Sequence, residues 1–361
     1  MTEREAYVAF NLTDKVGFAT VGRLALEYGS VADAWNAYPK KVSRSGGEID
    51  FGKEFALAEK FGVEIVTLAD EGYPAQLRDT PGCPLVLYVK GSVRALSLPS
   101  VAMIGTRRAT EYGLGVAERF SYDLAKASWS VVSGLALGID AESHRGALDA
   151  QGTTVGVIGS GLDVFYPEEN RPLARRIVEN GGAVVSEFPF GRPADRTTFP
   201  IRNHVVAALA KGTLAVEAPV RSGTLITAGI AADLGRTVMA VPGRVNDRMS
   251  AGCLQLIRDG AIAVRDVDDV IEALGALSAG CESPPASEKG SVPAKDVDAP
   301  AYSVEEAMIM LHVDEDGVSI DRLSAETGLP VSKVNSVVMT LRVKGFVRFL
   351  PGNRVALPLR R

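Results

Sequence analysis

Between residues 101 and 265 one pattern recurs: a short apolar run rich in β-branched residues, a turn of Gly and small polar residues, then a helix-like stretch. Strand-like runs fall at 84–89, 101–105, 130–133, 153–158, 183–186, 213–217, 237–241 and 261–264. Helix-like stretches fall at 111–127, 139–150, 168–180, 200–211, 222–234 and 251–259. The runs are near-continuous Val, Ile and Ala, as expected for strands buried on both faces of a parallel sheet. The expected fold class is therefore α/β, a doubly wound parallel (extended Rossmann-like) sheet over residues 76–275. Ligands of such sheets bind beyond the carboxyl ends of the strands, which directs attention to the turns after 105, 133, 159, 187 and 217.

A chain of 361 residues with 46% hydrophobic content can bury two or three cores. The N-terminal Met-Thr-Glu-Arg-Glu-Ala lacks the basic and apolar runs of a signal peptide, and no stretch reaches the roughly 18–20 apolar residues of a membrane span. A cytoplasmic protein with no membrane partner is expected. Cys83, Cys253 and Cys281 are widely spaced without a C-x-x-C pair, so reduced thiols are expected, with neither disulfide nor metal site. The net charge of −5 means that a polyanion would have to be held by a local basic patch against a mildly repulsive overall field.

Outside the α/β region the chain reads as three further parts. Residues 1–75 carry short helices between turn signals at Gly17, Gly29-Ser30 and Ser45-Gly46-Gly47, a small helical domain of SAM or helix-hairpin-helix type. Its Asp14–Phe18 turn has one Gly and no Gly-x-Gly, which favours packing over phosphate binding. Residues 276–300 contain Pro284, Pro285, Pro293 and Pro300 and no aromatic residue, the composition of a flexible linker. Residues 301–361 follow a winged-helix order: helices at 303–311, 320–327 and 331–344, then a β-like pair around Gly352-Asn353. From Val331 to Arg361 there are seven basic and no acidic residues. Lys333, Asn335, Ser336 and Arg342 are the candidate DNA readers, although a winged helix also serves as a protein-binding module.

Five turns could carry chemistry. Gly105-Thr106-Arg107-Arg108 places two arginines where a dinucleotide site keeps glycines, and Thr110 can cap the following helix, so an anion fits there. The competing reading pairs these arginines with Glu111 or Asp140. Gly134 lies in Ser133–Asp140, where Asp140 and His144 share a helix face at i, i+4; a hydrogen-bonded structural pair is expected rather than a catalytic dyad. Gly159-Ser-Gly161 runs on into an apolar extended stretch, which disfavours NAD or FAD, and no G-x-x-x-x-G-K-[ST] is present. Arg192, Arg196 and Arg202-Asn203 alternate with Phe188, Phe190 and Phe199, a pattern suited to unpaired bases on rings and phosphates on guanidinium groups. Ser222-Gly223-Thr224 opens a helix at the same edge.

Taken together, Gly105-Thr-Arg107, Ser133–Asp140, Gly159–Pro167, Phe199-Pro-Ile-Arg202-Asn203, Ser222–Ile226 and Val241-Pro-Gly243 resemble the DprA/Smf family (DNA processing protein A) through the whole α/β region. The resemblance implies a protein without catalytic activity or cofactor that binds and protects single-stranded DNA in natural transformation and recombination and loads the RecA recombinase. It places the family's turn arginine on Arg107 and a basic position on Arg196. It also implies a homodimer through Gly252–Ile257, with Leu254 and Ile257 on one helix face. Leu137, Glu168 and His204 replace positive residues of many members, so weaker or more salt-sensitive DNA binding is expected. A nucleotide phosphoribohydrolase of the LOG type is the enzymatic alternative, but Ala228 stands where that family's catalytic acid would fall. An adaptor acting through the winged helix is the third reading.

Overall fold

The computed structural model describes residues 1–13, 16–38 and 49–278, and in the C-terminal part residues 308–310, 312–313, 317–343, 347–350 and 354–356. The chain forms two compact units, Met1–Ser283 and Pro284–Arg361. Four helices open the first unit: α1 (Glu3–Leu12), α2 (Phe18–Tyr28), α3 (Val31–Ala37) and α4 (Phe51–Phe61). Each of α1, α3 and α4 begins at a side-chain cap, from Thr2, Ser30 and Asp50 respectively, and Gly29 and Gly62 in left-handed conformation end α2 and α4.

The remainder of this unit is one nine-stranded sheet. Its strands are β1 (Glu64–Thr67), β2 (Val86–Gly91), β3 (Ser100–Ile104), β4 (Ser130–Ser133), β5 (Thr154–Val157), β6 (Ala183–Ser186), β7 (Gly212–Ala215), β8 (Thr237–Ala240) and β9 (Ile262–Ala263). They lie in the order β1-β2-β6-β5-β4-β3-β7-β8-β9. From β6 to β9 every pairing is parallel, whereas β1–β2 and β2–β6 are antiparallel. Two buried strand hydroxyls bond across the sheet: Ser133 donates to the Met103 carbonyl (2.6 Å) and Thr154 to that of Val131 (2.7 Å).

Helices α5 (Ala75–Arg78), α6 (Glu111–Lys126), α7 (Ile139–Asp149), α8 (Arg171–Glu179), α9 (Thr198–Leu209), α10 (Gly223–Asp233), α11 (Ala251–Arg258) and α12 (Val267–Ser278) complete the unit. From β3 the chain winds out through β4 and β5 to β6, then returns to lay β7 on the other side of β3. The strand order thus reverses at β3, which makes the carboxyl ends of β3, β4 and β7 the switch point where ligands of this architecture bind.

Two expectations are corrected. The helical reading of residues 1–75 missed β1, whose Ile65, Val66 and Thr67 are buried at the sheet margin. The linker expected from residue 276 starts inside α12, which extends to Ser278 because Val270, Ala273 and Leu274 bury an amphipathic face on the sheet core. Residues 279–307, including Cys281 and most of the expected helix at 303–311, lie outside the described residues, as do Gly352 and Asn353.

In the second unit β10 (Val318–Ser319), α13 (Ile320–Thr327), α14 (Val331–Val343), β11 (Arg348–Leu350) and β12 (Arg354–Ala356) build a small domain with its own core of Ile309, Ile320, Leu323, Val334, Val338, Leu341 and Val355. The strands form an antiparallel sheet in the order β10-β12-β11. Lys333 and Asn335 on α14 are exposed; the side chains of Ser336 and Arg342 lie outside the described residues.

Candidate nucleic-acid interface

A cleft of about 400 Å³ opens at the switch point. Its walls come from the turn after β3 (Gly105, Thr106, Arg107, Arg108), the turn after β4 (Gly134), the start of α10 (Ser222, Gly223, Thr224) and the face of α9 (Phe199, Arg202, Asn203). Of the residues selected from sequence for a DNA site at the strand-end turns, Arg196 is not in this lining. It is exposed in the loop before α9.

Arg107 and Arg108 are exposed, and among the described residues neither forms an ion pair with a carboxylate. The anticipated pairing with Glu111 or Asp140 does not occur. Instead the Arg107 guanidinium lies over the Phe199 ring, 5.0 Å from its centroid. Tyr166 stands beyond Phe199, with centroids 6.1 Å apart and planes tilted by 50°, and lines a smaller chamber shared with Arg107, Leu137 and Arg202. Tyr166 is half exposed, so one face of this aromatic pair is open to solvent.

Arg202 has a different place from the solvent-facing phosphate reader anticipated for it. It is buried, and its Nη1 donates to the carbonyls of Gly134 and Val157 (2.6 Å to the latter), tying together the ends of β4 and β5. Its Nε donates to Asn203 Oδ1 at 3.0 Å. Asp140 accepts from the amides of Gly134 (3.1 Å) and Ala136 (3.4 Å). Burial raises the Asp140 carboxyl, and the neighbouring Arg202 and Arg107 charges pull it back. A Cβ on Gly134 would fall 2.5 Å from Arg202 Nη1 and 2.6 Å from Asp140 Oδ2, so only glycine fits between the two charges. Gly105 is required for a similar reason, because a Cβ there would strike Ile139 at the start of α7.

The expected Asp140–His144 hydrogen bond is absent. Their side chains share the buried start of α7, but His144 Nδ1 meets Thr154 Oγ1 at 2.7 Å instead. Thr154 already donates to Val131, so it accepts from Nδ1–H and leaves Nε2 as the bare nitrogen, without a partner among the described residues. Burial lowers the His144 pKa to about 3, with Arg202 and Arg145 adding to the effect.

The anion position inferred at the start of α6 is filled by the protein itself. Thr110 caps the helix by accepting from Gly113 N (3.1 Å), and Glu217 accepts from Thr110 N (2.9 Å) and Oγ1 (2.7 Å). Glu217 is fully buried at the end of β7 and was not singled out from sequence, since it lies 107 positions from its partner. At α10 the opposite holds: its cap residue Ser222 makes no side-chain bond to the helix, and the Ser222 hydroxyl has no partner among the described residues. The residue before it, Arg221, is held at φ +62°, and Leu135 in the turn after β4 at φ +52°. Non-glycine residues so placed cost of order 1–3 kcal/mol and tend to cluster at functional sites.

The aromatic and basic stretch 188–202 divides in two. Phe188 is buried, and Phe190 packs on Phe61 (5.6 Å, stacked) and Tyr88 (5.4 Å, edge-on), so both belong to the core. Arg192 pairs with Asp195. Among the three substituted positions, Leu137 faces the smaller chamber, Glu168 is neutralised by a two-pronged bond from Arg171 (both 2.7 Å), and His204 bonds the Pro81 carbonyl (2.9 Å), outside the cleft lining. On α11, Leu254 and Ile257 are half-buried, and Ile257 packs against the main core. Among the described residues there is no His, Cys, Asp and Glu cluster able to hold a metal ion, and no helix is long and apolar enough to cross a membrane.

A family model described as DNA recombination-mediator protein A matches residues 64–275, and a DprA winged helix domain model matches residues 293–353. Protein Smf of Synechocystis is 30% identical, covering 98% of both chains, and Protein Smf of Escherichia coli is 34% identical over 81% of this chain and 77% of its own length. The X-ray structure of DNA processing protein A from Streptococcus pneumoniae superposes with a TM-score of 0.63 at 31% identity, covering 75% of this chain and 97% of that one. DNA processing protein A from Helicobacter pylori, solved to explain its single-stranded DNA binding mode, gives 0.53 at 27% identity, covering 60% and 97%. With matching models over both units and relatives aligned along nearly its whole length, the chain belongs to the DprA/Smf family.

Proposed function

We propose that this chain binds single-stranded DNA across the cleft at the ends of β3, β4 and β7 and delivers it to a RecA recombinase, without catalysing a reaction itself. The observation that carries the proposal is the pair of exposed arginines, Arg107 and Arg108, without a carboxylate partner among the described residues, beside an accessible aromatic face formed by Phe199 and Tyr166. Guanidinium groups grip phosphates, while rings need unstacked bases, a combination that favours single strands over duplex. The backbone N–H groups at the start of α10, where no side chain caps the helix, add donors for a further phosphate oxygen. Buried Arg202 supplies positive potential from below, and Arg196 extends the basic edge outside the cleft.

The non-catalytic reading is supported by how the acid and base candidates are engaged. Asp140 and Glu217 each accept two internal hydrogen bonds, and His144 is buried against Thr154. For the RecA partnership, the cytoplasmic setting and the role in transformation, the support is the resemblance to the DprA/Smf family. Homodimerisation through α11 is supported by half-buried Leu254 and by exposed Ile262 on the adjacent edge strand. A gel-shift series with the full chain, comparing an oligo-dT strand with a duplex of equal length at two salt concentrations, tests the reading. Preference for the single strand that weakens as salt rises is expected; equal or stronger binding to duplex overturns it.

A further inference from the structure

A second depression, about 320 Å³, lies on the same unit and shares no lining residue with the cleft. Its floor is the antiparallel β2–β6 pair, where Lys90 is the register partner of Val184. Phe61 and Val63 at the end of α4 form one wall, Ala174 and Val178 of α8 the other, and Leu162 and Phe165 close the top. The interior is apolar and the rim carries three cations, Lys90, Arg171 and Arg175, against Glu179 in the lining and Glu168 bonded to Arg171, which leaves a net positive rim. In a chain of net charge −5 this is a local reversal of sign.

The rim charges have different commitments. Lys90 Nζ donates to the Phe61 carbonyl and so pins the end of α4 to the sheet. Arg171 is bonded to Glu168 and lies 5.5 Å over the Phe165 ring. Arg175 is exposed and forms no hydrogen bond or ion pair among the described residues. Phe61 itself is over one-third exposed although it stacks on Phe190, leaving an aromatic edge uncovered. The volume is at the small end of ligand pockets, enough for one aromatic or branched side chain and its flanking backbone.

We propose that this depression is a docking site for an acidic peptide of a partner protein, which inserts one aromatic or aliphatic anchor between Phe61 and Val178 while carboxylates on either side meet Arg175 and Lys90. The charge complementarity sets both the orientation and the encounter rate, and the buried anchor supplies the affinity. The cleft would stay free for DNA, so the two ligands bind together.

The test is fluorescence anisotropy of the full chain with a fluorescein-labelled octapeptide of Asp and Glu carrying one central Phe. Saturable binding is expected, weakened at least about tenfold when the peptide's Phe is replaced by Ala or when Arg175→Glu reverses the rim charge. Because Arg175 is exposed, that variant keeps its fold, and Val178→Trp, which fills the depression, gives an independent block. Excess oligo-dT leaves the peptide bound. Equal affinity for the Ala peptide, unchanged affinity of Arg175→Glu, or displacement by oligo-dT overturns the proposal. So does binding of a small aromatic anion such as anilinonaphthalene sulfonate, sensitive to Val178→Trp, without binding of the peptide.

Discussion

The two strand-to-helix junctions that flank the switch point are built alike and equipped differently. After β3, the helix start is closed by Thr110 and by the buried Glu217 carboxylate, and the turn projects Arg107 and Arg108 instead. After β7, the turn's own carboxylate, Glu217, is spent on the α6 start, and the α10 start lies at the cleft without a side-chain cap. A dinucleotide-binding sheet places its ligand's pyrophosphate on the first of these helix ends. Here that end is taken by an internal anion, so positive charge is supplied by flexible side chains outside it. Flexible arginines suit a polymer whose phosphates pass in varied register, whereas a helix end fixes one group.

Substitutions can break or sharpen this contrast. The largest effect is expected from Arg202→Ala, which leaves the buried Gly134 and Val157 carbonyls without their donor: a loss of about 2–5 kcal/mol in stability, read by urea unfolding. A midpoint equal to wild type would show that the ends of β4 and β5 do not depend on this strut. Arg107→Glu should keep the circular dichroism spectrum while lowering single-strand affinity by roughly two orders of magnitude, and Arg107→Ala by several-fold, because attraction turns to repulsion.

The buried start of α7 predicts a pH effect. His144 has a pKa of about 3 in the fold against 6.5 when unfolded, so the unfolded chain takes up a proton that the folded one does not. Its contribution is present above pH 6.5 and is lost as pH falls towards 3, by up to ~1.4 kcal/mol per pH unit. The raised carboxyl of Asp140 works in the opposite direction, gaining stability on acidification. Comparing wild type with His144→Asn cancels that term, and the variant should show the shallower decline below pH 6.5. Parallel curves would remove His144 from the account.

The two junctions should then separate cleanly. Thr110→Ala costs about 1 kcal/mol of stability as a lost helix cap, with single-strand affinity unchanged. Gly223→Asp, which sets a carboxylate at the open α10 start, has the reverse signature: no loss of stability and affinity reduced about tenfold. If the two variants exchanged these signatures, the junction roles would be reversed.

The alternation of the sheet, its switch point and most of the cleft lining were readable because each strand is a short β-branched run ended by Gly and small polar residues. Burial was harder to read. Arg107 and Arg202 look equivalent as letters, yet one lies over Phe199 in solvent and the other bridges two strand ends, a distinction set by packing across turns far apart in sequence. Glu217 was invisible for the same reason, since a cap supplied from 107 positions away leaves no local signature. β1 was missed because four residues at a sheet margin carry too little periodicity to compete with the helices before them. Phe188 and Phe190 sit in the same basic stretch as Phe199 but face the core.

The central claim is that Arg107 grips a phosphate of an unpaired strand. The salt dependence of oligo-dT affinity for wild type and Arg107→Ala tests it most directly. For each phosphate contact removed, the slope of log affinity against log salt should become shallower by about 0.7. Identical slopes in the two proteins would contradict the assignment, however much the affinity itself had changed.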